Sequence, residues 1–316
     1  MADANHVRNT MSRAAETRLI LGGHSFISQL GNDPRASERE QVRIVEACLD
    51  HGIRWFDTTY QPERVALGDI LHALGRRDEA KILAWNFFRD FSRGDDCGPP
   101  EYYRPEHIDL ILEQLRTSYV DCLVVVPLDD AEQNRRQMEL MVEWRRKGYT
   151  RSLGIWVGEQ APIGSQETRE AFRFAIRPFN VTTDDAAPAF AAYKAAGWET
   201  IATSPFFRGW ELDRIVTQAS DRGHGDNESL RPVVADLMLR FSLFQRDVDR
   251  VIVAMRKAEW VTRNLESVAR GPLTVEERRF LERMSGVART KPRWWQRLRG
   301  VKARTHRLWQ RLRHGL

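Results

Sequence analysis

Residues 52–68 read Gly-Ile-Arg-Trp-Phe-Asp-Thr-Thr-Tyr-Gln-Pro-Glu-Arg-Val-Ala-Leu-Gly. A β-prone run, Ile53–Phe56, gives way to Asp57, and two threonines and Tyr60 precede a helix that opens near Pro62. A carboxylate where a strand stops, beside a phenol, is material for general acid–base chemistry: one group moves a proton and its neighbour sets the pKa. His24 follows an earlier β-prone run. Arg256-Lys257 follow the last one, where a guanidinium and an ammonium could hold an anion. Other strand ends are apolar: Trp85, Val126 and Trp156, with Phe206-Phe207 further on. That composition reads two ways. It is a hydrophobic ligand pocket with Asp57, Tyr60 and Asn86 as its polar groups, or it is aromatic filling of a mouth that binds nothing. His107 opens a helix, where a surface or capping role fits better than catalysis. Cys48, Cys97 and Cys122 form an odd set without metal-ligand spacing, so neither a metal site nor a disulfide framework is expected, and a reducing compartment fits.

These side chains need a scaffold. β-rich runs occur at Arg18–Gly22, Ile53–Phe56, Ile82–Asn86, Val120–Val126, Ser152–Trp156, Pro178–Val181, Thr200–Ser204 and Val251–Ala254. Helical patterns lie between and after them, at about 38–51, 63–76, 105–118, 131–148, 167–174, 186–196, 229–244 and 258–269. Strict alternation of this kind predicts an α/β protein, a closed (β/α)8 barrel with its site at the C-terminal strand ends. An open doubly wound sheet is the alternative. It would show a glycine-rich phosphate turn, and Leu21-Gly22-Gly23-His24 lacks that spacing. Trp55, separated from Asp57 by Phe56, is assigned to the outer helix layer.

The net charge of +5 hides a division. Residues 291–316 hold nine Lys/Arg and no Asp/Glu, which leaves 40 basic against 44 acidic residues, or −4, for residues 1–290. The high isoelectric point therefore marks one terminal element and does not argue for a nucleic-acid-binding body. Within 293–313, positions 294, 298, 301, 305, 308 and 312 form one helical stripe carrying Trp294, Leu298, Val301, Leu308 and Leu312, with Arg297, Arg304, Arg307 and Arg311 on its flank and far side. Such a helix suits an anionic membrane surface first, then an acidic protein partner, then no partner at all, and nucleic acid last. Residues 1–17 are polar, without the apolar core of a signal peptide, and are expected to be disordered. The expected organisation is 1–17, a barrel over 18–288, and a basic Trp-rich helix over 289–316, in a cytoplasmic protein that is peripheral on the inner membrane face.

Several motifs together resemble the aldo-keto reductases. Gly52-Ile-Arg-Trp-Phe-Asp57-Thr is similar to that family's second strand, and Tyr119-Val-Asp-Cys-Leu-Val-Val-Val126 to its fourth. Lys147-Gly-Tyr-Thr-Arg-Ser-Leu-Gly154-Ile resembles the approach to its fifth, Ser204-Pro-Phe-Phe-Arg-Gly209 the turn after its seventh, and Ala254 through Asn264 the element at its eighth. The resemblance implies NADPH-dependent carbonyl reduction by an Asp, Tyr, Lys, His tetrad. The aspartate maps onto Asp57. The tyrosine position holds Pro62, and Tyr60, three residues after Asp57, is either a displaced equivalent or a plain loop aromatic. The lysine position holds Asn86 and the histidine position Val126. Lys81 cannot replace the lysine, because five residues of strand put it about 16 Å away. On the cofactor side, Trp156-Val157, Ile176 and Thr203 stand where the family has Ser-Asn, Gln and Tyr. Ser204, Arg256, Glu259 and Asn264 keep the family's phosphate- and adenine-binding residues. The reading that follows is a divergent member with impaired catalysis, a scaffold for a small molecule or a partner, for which NADP is doubtful. The alternative is an active NADP(H)-dependent oxidoreductase whose acid is rearranged onto Tyr60 and Asp57. A cofactor-free lyase or isomerase using Asp57 as base is a third class.

Overall fold

The computed structural model describes residues 16–27, 35–89, 98–157, 170–183 and 186–286. Eight parallel strands close in chain order: β1 (Leu19–Leu21), β2 (Trp55–Thr58), β3 (Lys81–Trp85), β4 (Val120–Val125), β5 (Thr150–Trp156), β6 (Phe172–Pro178), β7 (Glu199–Thr203) and β8 (Arg250–Val253). β8 pairs with β1 through Leu19–Val251, Ile20–Ile252 and Leu21–Val253, so no edge remains. The helices are α1 (Glu38–Asp50), α2 (Gln61–Leu74), α3 (His107–Gln114), α4 (Ala131–Arg146), α5 (Ala187–Ala195), α6 (Trp210–Asp221), α7 (Asn227–Leu243), α8 (Ala258–Arg270) and α9 (Val275–Ser285). The (β/α)8 barrel is the fold the alternation predicts.

Local signals set the helix ends. Ser37, Asp130 and Asp226 accept first-turn amides of α1, α4 and α7. Gly75 stops α2 in the left-handed conformation. Gly68 is fixed by packing, since a Cβ there would lie 2.6 Å from the Gln114 carbonyl oxygen where α2 crosses the end of α3.

Strand alternation divides the apolar residues into two layers. Leu19, Leu21, Phe56, Ile82, Ala84, Leu123, Val125, Val251 and Val253 face the helices. Ile20, Trp55, Leu83, Trp85, Cys122, Val124, Phe174, Ile176, Ile201 and Ile252 fill the barrel. Trp55 therefore lies inside, correcting its assignment to the outer layer. Residues two apart on a strand share a face, so Trp55 must follow Asp57 inward.

The sixth strand also corrects the sequence reading. It runs Phe172–Pro178, where a helix over 167–174 and a strand starting at Pro178 were expected. The spacing of Ala171, Phe172, Phe174 and Ala175 satisfies either period over so short a run. Proline closes this strand, because the missing N–H would break the ladder further on. α6 and α9 had no sequence assignment. β2 extends to Thr58, which puts Asp57 within the ladder opposite Leu83.

The expected helix over 293–313, Cys97 and residues 1–15 lie outside the described residues. Glu16 and Thr17, assigned to the N-terminal segment, already engage the barrel: Glu16 pairs with Lys81 and Arg250 and accepts the Trp55 indole N–H, and Thr17 donates its amide to Gly52. No described helix is long and apolar enough to cross a membrane.

Candidate functional site at the barrel mouth

Asp57 is buried at the C-terminal end of β2 and faces into the barrel. The side chain that reaches it from β3 is Trp85, whose Nε1–H donates to Asp57 Oδ1 at 2.5 Å. The Gly23 amide is its second donor. Asn86, the next residue, turns away from the barrel interior. Its Nδ2 donates to the carbonyls of Glu101 (2.7 Å) and Val126 (3.2 Å), and its Oδ1 accepts from the Val126 amide at 2.8 Å. The expected pocket role of Asn86 is thus corrected. Adjacent strand residues point to opposite faces, and Trp85 has the inward parity. Trp85 packs edge-on against Trp156 with centroids 5.8 Å apart, and Val126 packs on the same interior cluster. These three apolar side chains, each placed at the mouth by the sequence, do meet there.

Tyr60 precedes α2 as its N-cap residue and is buried. Its ring stacks on His24 at 6.1 Å and meets Phe87 edge-on at 5.2 Å. Arg64 holds this arrangement. Its fully buried guanidinium donates to the Thr59 carbonyl (3.0 Å), the Phe87 carbonyl (2.9 Å) and Gln114 Oε1 (2.6 Å), tying the loops after β2 and β3 to α3. Burial pulls the Arg64 pKa down to about 10, so it stays charged.

Glu63 is the member of the site that sequence reasoning missed. It is fully buried, and its Oε2 accepts the amides of Thr59 (2.6 Å) and Tyr60 (3.2 Å). Its Oε1 has no hydrogen-bond partner and lies 3.8 Å from His24 Nε2. An acid at the third position of α2 is a capping signal legible in the sequence, although its burial is not. Gly23 packs so closely here that a Cβ would sit 2.3 Å from Glu63 Oε2 and 2.7 Å from the Asp57 carbonyl oxygen.

Burial pushes the Asp57 pKa up to about 7, with the Trp85 and Gly23 hydrogen bonds opposing it. Burial, then the Asp57 carboxyl, pushes Glu63 up to about 8. His24 is driven down to about 3, first by burial and then by the Arg208 and Arg256 guanidiniums. At neutral pH the mouth therefore holds a protonated Glu63, an Asp57 poised between its two forms, and a neutral imidazole. Such a group can hold or pass a proton. It does not place a cation on Asp57, whose neighbours are the indole, an amide and a second carboxyl.

The residues expected to bind a nucleotide are engaged within the chain. Arg256 is buried and donates Nε–H to the His24 carbonyl at 3.2 Å. Glu259 is exposed and 3.6 Å from Arg263, and Asn264 is half-buried on α8. The amide of Ala258, first of α8, already donates to Glu40 Oε1 of α1 at 2.7 Å. Ser204 holds a left-handed φ of 57°, and its carbonyl accepts from Asn180 Nδ2 at 2.8 Å. His107 opens α3 as expected but is buried, its ring stacked on Phe88 at 3.6 Å. Among the described residues no group of His, Cys, Asp and Glu could hold a metal ion.

A model of the Aldo/keto reductase family matches residues 18–232. Among solved structures, aldo-keto reductase AKR11C1 from Bacillus halodurans, in a holo form, is similar with a TM-score of 0.63 and 18% identity, covering 84% of this chain and 91% of its own. A search of curated proteins finds no match. The match spans most of the barrel and agrees with the closed topology, so the chain belongs to the aldo/keto reductase family, whose members generally use NAD(P)H.

Proposed function

We propose that this chain is an aldo/keto reductase barrel with impaired carbonyl reduction that serves as a ligand- or partner-binding scaffold, held at an anionic membrane surface by residues 293–313. One observation carries the reading: the neutral Trp85 indole donates to Asp57 where the family resemblance requires an ammonium. A phenol gives up its proton near neutral pH only where neighbouring charge stabilises the phenolate. Here Asp57 is held by a neutral indole and a backbone amide in place of a cation. The nucleotide end supports the same conclusion. Glu40 occupies the first amide of α8, so an incoming phosphate would meet a carboxylate. Trp156 and Val157 offer no side-chain acceptor to a carboxamide and only the Trp156 indole N–H as a donor, and a polar group left short of partners is bound poorly. These residues do not fit the dinucleotide.

A fluorescence titration of the full chain with NADPH tests this. The expected outcome is no saturation in the low micromolar range and no turnover of simple aldehydes. The second reading, an NADP(H)-dependent oxidoreductase using Tyr60 and Asp57, draws on the burial of Tyr60 near the β2 end and on the retained Arg256. Low-micromolar binding that Arg256→Ala weakens, with turnover that Tyr60→Phe abolishes, would establish it. For the membrane component, vesicles containing phosphatidylserine should float the full chain but not a chain ending at Thr290. Equal flotation of the two removes that component.

A further inference from the structure

We propose, on the reading that residues 293–313 bind an anionic membrane, that the rim of the mouth beside β7 and β8 is a second contact with that surface and turns the mouth toward the bilayer. Residues 204–209 connect β7 to α6. Phe207 and Arg208 both hold left-handed φ, of 47° and 60°, a backbone that bulky side chains rarely adopt. The turn leaves Phe207 half-buried and Arg208 exposed, and Trp210 follows as the first residue of α6. Trp210 is 46% exposed and is the only exposed aromatic side chain among the described residues. Its ring meets Phe207 edge-on at 6.1 Å and lies 5.6 Å from the Arg208 guanidinium. The Arg208 charge also bears on His24, which places it over the mouth.

The neighbouring strand adds a similar pair. Lys257 caps α8 after β8 and is exposed, with its ammonium 5.7 Å from the half-buried Trp260 ring. Neither Arg208 nor Lys257 has a carboxylate within 4 Å among the described residues. The acids nearby in sequence are engaged: Glu211 is 2.6 Å from Arg214, Glu259 is 3.6 Å from Arg263, and Asp213 pairs with Arg231. The unspent charge of this rim is therefore positive, although residues 1–290 carry −4 as a whole.

The path of the chain brings the basic tail to the same place. α9 packs along α6 in steps. Phe280 meets His224 edge-on at 5.2 Å, Arg222 donates to the Arg283 carbonyl at 3.3 Å, and Arg214 donates to the Ser285 carbonyl at 2.8 Å. The contacts thus move toward the start of α6, and Arg214 stands four residues, about 6 Å, from Trp210 on one helix face. Residues 287–316 leave the barrel from that point. Charge prevents the tail from covering the rim, since the nine basic residues and no acid of 291–316 would meet Arg208 and Lys257. Tail and rim instead call for one anionic partner. Tryptophan beside arginine or lysine is the composition of a lipid–water boundary, and a lipid surface needs an open rim where a small molecule needs an enclosed pocket.

Partition of the full chain onto vesicles containing phosphatidylserine tests the assignment, with phosphatidylcholine vesicles as the control. Arg208→Gln and Lys257→Gln should each lower partition onto phosphatidylserine about fivefold, and Trp210→Ala about tenfold. The two charge variants should match the parent chain on phosphatidylcholine. All three side chains are exposed or half-exposed, so unchanged melting temperatures are expected and separate lost binding from lost fold. Amide deuterium exchange at residues 206–213 should slow when the full chain is on phosphatidylserine vesicles. Partition that depends on the tail but is unchanged by all three substitutions, with exchange at 206–213 equally fast on and off vesicles, overturns the proposal and leaves the role of residues 293–313 standing. Substitutions that weaken partition while a chain ending at Thr290 binds as well as the full chain support the rim and remove the tail. Absence of phosphatidylserine-dependent partition overturns both.

Discussion

The two ends of this barrel treat their acids in opposite ways. At the N-terminal end, burial raises the Glu16 pKa, but the Lys81 hydrogen bond and the Arg250 charge outweigh it and leave the group below its ordinary value. Asp249 follows the same pattern through Lys194 and Thr200. At the C-terminal end, burial acts on Asp57 and Glu63 without a cation on Asp57, and both rise to about 7 and 8. Desolvation is weaker for the exposed Glu16 and half-buried Asp249 than for the buried Asp57 and Glu63, and cationic partners at the base then carry the outcome the other way. Most of the left-handed non-glycine backbone lies at the mouth: Ser204, Phe207 and Arg208 gather after β7, while Arg116, between α3 and β4, is at the base. In (β/α)8 barrels the bottom face secures the fold and the top face carries the site. Here the top holds strained backbone and perturbed acids, and among the described residues the side chain hydrogen-bonded to Asp57 is the Trp85 indole.

The largest test of this contrast lies at the base. Asp121→Ala leaves the Ile82 amide and the Arg77 guanidinium without their carboxylate. It should lower unfolding free energy by about 2–4 kcal/mol in urea titrations. A loss under 1 kcal/mol would mean that the basal pairs are surface contacts of little weight. At the mouth, Gly23→Ala would drive a methyl into Glu63 Oε2 and the Asp57 carbonyl. About 1–3 kcal/mol of overpacking cost is expected, together with a perturbed Glu63 titration followed by carbonyl-labelled NMR.

The smallest effect carries a sign. Asp57 and Glu63 have folded-state pKa values above their unfolded ones. Between about pH 4 and pH 8 the folded chain therefore keeps protons that the unfolded chain releases, and their contribution to stability is lost as pH rises through 7 and 8. Glu63→Gln keeps an acceptor for the Thr59 and Tyr60 amides and removes the charge. It should stabilise by about 1–2 kcal/mol at pH 8.5 and by almost nothing at pH 5. Equal effects at both pH values would place Glu63 among ordinary ionised carboxylates. His24 and His107, lowered to about 3 and about 4, act in the other direction: their contribution is present above about pH 6.5 and is lost as pH falls.

Much of the barrel was legible because each strand except β6 carries a β-rich run bounded by polar or glycine-rich turns. β6 failed where two periods fitted the same seven residues. The mouth was legible as a location. Asp57, Tyr60, Trp85, Val126 and Trp156 all stand there, since a strand end is a local property. Their partnerships were not legible. Trp85 and Asn86 are neighbours in sequence, and one residue of register decides which of them faces the buried acid.

The sequence by itself determined the strand–helix alternation apart from β6, α6 and α9, the position of Asp57, the family likeness and the separation of a mildly acidic body from a basic tail, because periodicity and charge are carried by the chain one segment at a time. Only the tertiary structure decided that an indole holds Asp57, that Glu63 is sealed beneath His24, that Arg64 ties two loops together and that Trp55 packs inside the barrel. Each of these depends on water being excluded by segments far apart in the chain. The free energy of a charge is set by what replaces that water.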